Sequence, residues 1–312
     1  MDEKELDFRG LSSSDKTCFF TYVRSIDGIR HARFLIKSLR TFGGSYRDCP
    51  VLIFNFQTGG GVESDIGLDN VHVFSVDRDR EQERYWFGDK VLGCSMAEEI
   101  VGRHVHSLVW LSTQCLILQP PVQFDLNRSF SAAFRPVHIK NIGLRVDEPI
   151  DSFWSGVYHT VGIEECPYSI QSFVEGFEIR PYFNTHLFSI DPSLGILQTW
   201  LEHFREMISN EKFQSGPCQD EEHQIFLHQA ILSALILKVV DRERVRILPM
   251  EYSYPLHLHQ EVPIPLRPAS FNQLVCPVYE GVYRHPDTLN GLVLQEPLKT
   301  WMVENRPSEN EG

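Results

Sequence analysis

At 312 residues the chain can bury one large α/β core or two small ones. Hydrophobic residues at 42% and charged residues at 23% exclude a largely disordered protein. A net charge of -13 argues against nucleic acid as a partner, because phosphates need a basic face.

Residues 1–16 read as a loose leader, too polar and acidic for a secretory signal, and residues 304–312 as a loose tail. Residues 17–300 are expected to form a single domain with halves at 17–140 and 141–300. Cys18–Val23, C-F-F-T-Y-V, is rich in aromatic and β-branched residues and predicts a buried strand. Ile29, Ala32, Leu35, Ile36, Leu39 and Phe42 then recur at helical spacing, and Gly43-Gly44 ends that helix. Val51–Phe56 and Val71–Val76 predict further strands. Lys90 to Val101 predicts a helix with Asp89 as N-cap. Ser107–Leu111 predicts a fourth strand and F-S-A-A-F, Phe130 to Phe134, a fifth. This alternation implies a mostly parallel sheet with helices on both faces. Ligands of such sheets bind beyond the carboxyl ends of the strands, which places Arg24-Ser25 and Ser112-Thr113-Gln114 to meet one.

In the second half, Tyr182–Ile190 predicts a strand that leads through D-P-S into a helix. That helix carries Leu194, Leu197, Leu201, Phe204 and Ile208 on one stripe. Ile225 to Val240 predicts a second helix, apolar nearly all round and so buried, and the proline-rich stretch Pro249 to Pro297 predicts irregular chain. The longest apolar run begins at Ala230 and is far short of the ~20 residues that span a bilayer. No direct membrane insertion and a cytoplasmic location are therefore expected. Seven scattered cysteines with no C-x-x-C pair indicate neither a zinc knuckle nor a disulfide framework. P-loop, dinucleotide-binding, H-E-x-x-H and nucleophile-elbow motifs are absent from the sequence. T-G-G-G at Thr58–Gly61 lacks the lysine and serine of a phosphate loop and reads as a flexible loop.

Four segments, taken in order, resemble one family. G-D-K-V-L (Gly88–Leu92), V-W-L-S-T-Q-C-L-I-L-Q-P-P (from Val109), Y-F-N-T-H-L-F-S-I-D-P-S (from Tyr182) and H-Q-A-I-L-S (His228–Ser233) resemble motifs of the GT-A-fold glycosyltransferases. The nearest branch is the retaining one that includes glycogenin and galactinol synthase. The resemblance spans roughly residues 17–300 and rests on short motifs. It implies a GT-A (Rossmann-like) three-layer α/β/α fold and a nucleotide-sugar donor lying across the carboxyl edge of the sheet, with 17–140 as the nucleotide-binding half and 141–300 as the sugar and acceptor half. It also implies a divalent cation held by a D-x-D pair and a late histidine. A leaving diphosphate develops negative charge that such a cation stabilises.

The departures concern that cation. Ser112 and Gln114 occupy the D-x-D positions, and a hydroxyl and an amide lack the charge that anchors a hard cation. Tyr279 stands where the late histidine is expected, with His285 six residues on. F-N-A-G has become F-N-T-H, so Thr185 and His186 crowd a spot normally kept small, and the aspartate of D-Q is His228. No metal cofactor is therefore expected. Arg24, Lys90, Ser112 and Gln114, with Arg135 as a further cation, are candidates for the nucleotide and diphosphate. Asn184, His186, His228, Gln229 and Asp151 are candidates for the sugar and acceptor.

Each candidate has a plainer reading beside it. Lys90 also fits an exposed first-turn lysine, Ser112–Gln114 a polar turn, and Gln229 a satisfied core polar network. Arg145–Trp154 is an acceptor-loop candidate or a solvated turn with a core tryptophan, and R-Y-W-F before Gly88 is packing or a base-stacking lid. His257 and His259 share a face if that stretch is extended, and with His186 and His228 they would make an imidazole-rich site. Three functions compete: a hexosyltransferase that works without a D-x-D metal, a non-catalytic binding or scaffold protein of the same fold, and a histidine-site metalloenzyme. Fold alone does not choose between them.

Overall fold

The structure is a computed structural model that describes residues 17–57, 66–77, 85–279 and 292–307. The expected leader, the T-G-G-G loop, His285, Arg84 and the last residues of the tail lie outside the described residues. The described strands in chain order are β1 (Thr17–Val23), β2 (Val51–Asn55), β3 (Val71–Ser75), β4 (Ser107–Leu111), β5 (Ala132–Pro136), β6 (Ile170–Gln171), β7 (Glu178–Ile179), β8 (Phe183–Ile190), β9 (Val245–Ile247), β10 (Tyr252–Pro255) and β11 (Cys276–Val278). The helices are α1 (Ile26–Phe42), α2 (Gly88–Val101), α3 (Ser152–Val161), α4 (Ile196–Ser209), α5 (Glu211–Ser215), α6 (Glu221–Val239) and α7 (Leu298–Asn305).

Seven strands form the central sheet in the order β3-β2-β1-β4-β8-β5-β9. Neighbours run parallel except at β8, which is antiparallel to both β4 and β5. Alternation along the strands sends Phe20, Phe54, Trp110 and Phe188 to one face, where α2, α4 and α6 cover them. Phe19, Ile53, Val109 and Leu187 point to the other face, beneath α1 and the chain returning through Tyr252 and Cys276. The expected three-layer α/β class with a mostly parallel sheet is what the chain forms. A third apolar cluster, including Phe34, Tyr254, Phe271, Tyr279 and Met302, holds the C-terminal stretch onto the second face.

Helix α6 is buried from Leu227 to Leu237 because it runs between α3, α4 and β8. Asp220 caps it, accepting from the His223 amide at 3.0 Å, and Glu221 and Glu222 lie in its positive first turn. Asp89 is not the N-cap of α2. Phe87 holds that place with a left-handed φ of 59°, and the buried Asp89 carboxylate instead meets Arg24 at 2.9 Å. Leu256–Leu258 is a 3-10 turn rather than extended chain, so His257 and His259 do not share a strand face. Within the proline-rich stretch two short strands, β10 and β11, pair in parallel. Among the described residues no helix is long and apolar enough to cross a membrane.

Helix α4 begins at Gly195, which offers no side-chain cap. Glu98 of α2 supplies one from a neighbouring helix: its carboxylate accepts from Leu197 N at 3.1 Å and Gln198 N at 2.8 Å. Glu98→Ala is expected to cost about 2–4 kcal/mol in urea unfolding, since one buried and one part-buried amide lose their acceptor. Burial pushes the Glu98 carboxyl from 4.5 to about 7. Between those values the native state holds a proton that the unfolded chain has released, so stability falls as pH rises from 4.5 to 7. Glu98→Gln should remove that slope.

Candidate functional site at the carboxyl edge of the sheet

Strands β1 and β4 are parallel, so Arg24 and Ser112, which follow them, emerge at one edge of the sheet. Antiparallel β8 starts at that edge. The Ser112 amide continues the β4–β8 ladder by donating to His186 O at 2.9 Å. On its other side β8 pairs with β5 in a register that shifts between Ala133 and Arg135. The Thr185 carbonyl accepts from Lys90 Nζ at 2.6 Å and from Trp110 Nε1 at 3.0 Å.

Side-chain contacts along β8 divide the predicted residues between the two faces of the sheet. Alternation is interrupted between Thr185 and Leu187, which face opposite ways, beside the register shift against β5. Thr185 turns toward the helices. Its hydroxyl lies 3.1 Å from Gln229 Oε1 and 3.2 Å from His228 Nε2. Lys90 Nζ is 3.4 Å from the same imidazole nitrogen. His228 Nδ1 lies 2.9 Å from the Ile225 carbonyl, which only accepts, so Nδ1 carries the proton and Nε2 is an acceptor. Phe87 and Trp200 lie against the imidazole at centroid distances of 4.4 and 6.2 Å. Burial, then the Lys90 charge, holds His228 well below its ordinary value.

Lys90 is thus not an exposed first-turn lysine. It lies beneath the edge, with the rings of Phe87 and Trp110 at 5.6 and 5.5 Å from its nitrogen. Burial lowers its pKa from 10.5 to about 7. The ammonium faces inward, so the structure brings Lys90 to the site without presenting it at the surface. Gln229 has the satisfied partner of its plainer reading, and so does His228. Arg24 stands at the rim, 47% exposed and held by Asp89.

The opposite face carries the positions where the resemblance implies a cation. Ser112 to Cys115 form a tight turn closed by Cys115 N to Ser112 O at 2.9 Å, and Ser112 Oγ accepts from the Gln114 amide at 3.4 Å. Ser112 is half-buried and Gln114 exposed. Tyr279 meets this turn twice, through its amide to Gln114 O at 2.9 Å and its hydroxyl to Thr113 O at 3.4 Å. The phenol also hydrogen-bonds His31 Nδ1. The three positions therefore come together in space, but they offer a hydroxyl, an amide and a phenol. That set does not fit a hard divalent cation, which needs anionic oxygen. Among the described residues no group of three or more His, Cys, Asp or Glu side chains could hold a metal ion.

Asn184 and His186 turn to this second face, with Asn184 Oδ1 accepting from His186 N at 2.8 Å and Nδ1 at 2.9 Å. The imidazole-rich site is not assembled: His228 is on the helical face, and His259 is buried against the Tyr254 hydroxyl at 2.8 Å. Asp151 caps α3, accepting from Trp154 N at 2.8 Å. The other acids of that loop also have local partners: Asp147 pairs with Arg145 and Glu148 with Lys140. Trp154 is buried and donates to Ile142 O, the core tryptophan of that loop's plainer reading. In R-Y-W-F, Tyr85 bonds Gln214, Trp86 is exposed and Phe87 covers His228. Sequence reasoning named Phe87 only as part of R-Y-W-F and Arg135 only as a further cation, and it missed the buried His138.

No protein-family model matches the chain, and no curated protein is similar to it in sequence. Solved structures similar to it include galactosyltransferase LgtC with donor and acceptor sugar analogs, at 12% identity and a TM-score of 0.48, covering 91% of this chain and 99% of that one. Mouse xyloside xylosyltransferase 1 is similar at 10% identity and a TM-score of 0.44, over 76% of this chain and 86% of that one. The bifunctional glycosyltransferase WbbM is similar at 11% identity and a TM-score of 0.48, over 94% of this chain and 52% of that one.

Proposed function

We propose that the chain is a glycosyltransferase-like protein that binds a nucleotide-sugar across the carboxyl edge of the sheet and transfers its hexose to an acceptor without a D-x-D-bound metal. One observation carries this reading: Lys90, the Ser112–Gln114 turn, Asn184 and His228, each from a different motif segment of the sequence, lie around one strand end. Ser112 N bonds His186 O, and Lys90 bonds the carbonyl of Thr185 one residue earlier. In this reading Arg24 meets the diphosphate at the rim and the Ser112–Gln114 turn supplies neutral donors. Lys90 supplies positive charge from beneath, and Asn184 and His186 face the sugar. Preorganised donors and cations of this kind can stabilise the leaving diphosphate.

The test is a melting screen of UDP, GDP and their sugar conjugates, with and without Mn²⁺. A rise with nucleotide, equal in both metal conditions, is expected. No change at millimolar nucleotide would reject the reading. Nucleotide binding without acceptor-dependent release of nucleotide from the sugar conjugate would favour the non-catalytic alternative.

A further inference from the structure

Arg135 lies at the end of β5, paired in register with Asn184, and is 5% exposed. One of its terminal nitrogens donates to Leu248 O at 2.9 Å. Its Nε and Nη2 are buried with no hydrogen-bond partner. These two atoms form the side-on edge of the guanidinium, the edge that matches two oxygens of a carboxylate. His138, two residues beyond the end of β5 at Pro136, is also buried, and its Nδ1 has no partner either. Phe173 floors both groups, 4.5 Å from the guanidinium carbon and 6.4 Å from the imidazole. Burial lowers the Arg135 pKa only to about 10, so it is a cation at neutral pH.

A buried cation whose paired edge has no hydrogen-bond partner, near an unpartnered imidazole, is uncommon, because polar groups removed from water are normally matched. Glu251 is the carboxylate that acts on Arg135, but it is half-buried, and its own buried Oε2 has no partner. The two side chains do not satisfy each other. Around His138 the charges that act are Arg135, His186 and His257, all basic. Glu251 already offsets part of the Arg135 charge, so the surroundings suit at most one further negative charge. A phosphate dianion would exceed what a single guanidinium neutralises.

We infer that Arg135 and His138 form a receptor for a carboxylate on the sugar that lies beside Asn184, so that the donor is a nucleoside-diphosphate hexuronic acid. The Arg135 edge takes both carboxylate oxygens, His138 Nδ1 adds a hydrogen bond, and Glu251 Oε2 accepts from a neighbouring sugar hydroxyl. The assignment rests on the nucleotide-sugar reading above and deepens it.

Calorimetry of the full chain with two matched pairs tests it: UDP-glucuronate against UDP-glucose, and GDP-mannuronate against GDP-mannose, with UDP and GDP alone as references. In at least one pair the uronate should bind about tenfold or more tighter than the neutral sugar. Arg135→Met should bring that pair within about threefold. If that variant does not fold, Arg135→Lys keeps the charge without the paired edge and should lose most of the preference. Equal affinity within both pairs, with free nucleotide still bound, overturns this assignment and leaves the nucleotide-sugar reading standing. A uronate preference that survives both Arg135 variants also overturns it. No binding of UDP or GDP overturns both.

Discussion

Lys90→Met is expected to raise the melting temperature at pH 7 while weakening nucleotide binding by about a hundredfold. The two effects separate because of where the amine sits. Its carbonyl partner, Thr185 O, keeps a second donor in Trp110 Nε1 at 3.0 Å, so methionine strands no backbone group. The aliphatic stem between Phe87 and Trp110 is retained in kind, and the penalty for a buried charge disappears. Binding loses a cation directly beneath the strand end.

Lys90 also gives the expected binding reaction a proton signature. Its native pKa is about 7 against an ordinary 10.5. Across that interval the unfolded chain holds the proton and the native chain has released it, so Lys90 makes stability rise with pH from 7 to 10.5. A diphosphate above Lys90 would favour the ammonium again. At pH 8, nucleotide binding should take up close to one proton, read as different binding enthalpies in buffers of unlike ionisation heat. In Lys90→Met that uptake should vanish. Identical proton uptake and affinity in the variant would remove Lys90 from the binding reaction.

The second large effect concerns the cation that the resemblance implies. Ser112→Asp with Gln114→Asp and Tyr279→His is expected to raise Mn²⁺ affinity by about a hundredfold or more over the unchanged chain. The reason is spatial: Tyr279 touches the Ser112–Gln114 turn through both its amide and its hydroxyl. Tyr279 is buried, so Ser112→Asp with Gln114→Asp is a gentler companion that should show part of the gain. Electron paramagnetic resonance of Mn²⁺ measures both. If neither variant gains affinity, the correspondence between these positions and a D-x-D site is wrong.

Much of this arrangement was legible in the sequence. Runs such as V-L-I-F-N and S-L-V-W-L read as strands because both faces are buried. The helical spacing from Ile29 to Phe42 marks α1 because one stripe faces the sheet. Arg24 and Ser112 were placed at the edge by the rule that parallel strands end together. Residue period carries no information about strand direction, so the reversal at β8 was not legible. That reversal, with the register shift against β5, decides which candidates meet. It turns Thr185 to His228 and Gln229, and Asn184 to the Arg135 side. Asp89 was misread because a local capping signal competed with a tertiary partner, Arg24, that sequence spacing does not show. The L-H-L-H alternation misled because the flanking prolines favour a turn over extended chain.

Tyr279 belongs to the C-terminal wrap and its apolar cluster, whereas the Ser112–Gln114 turn belongs to the sheet. A cation shared between them would have worked as a rivet as well as a Lewis acid. Here an aromatic residue does the riveting: its ring packs edge-on to Phe34 at 5.9 Å, and its backbone and hydroxyl clasp the turn. Among the described residues, the seam between wrap and sheet is thus clasped by hydrogen bonds and ring packing from one aromatic residue.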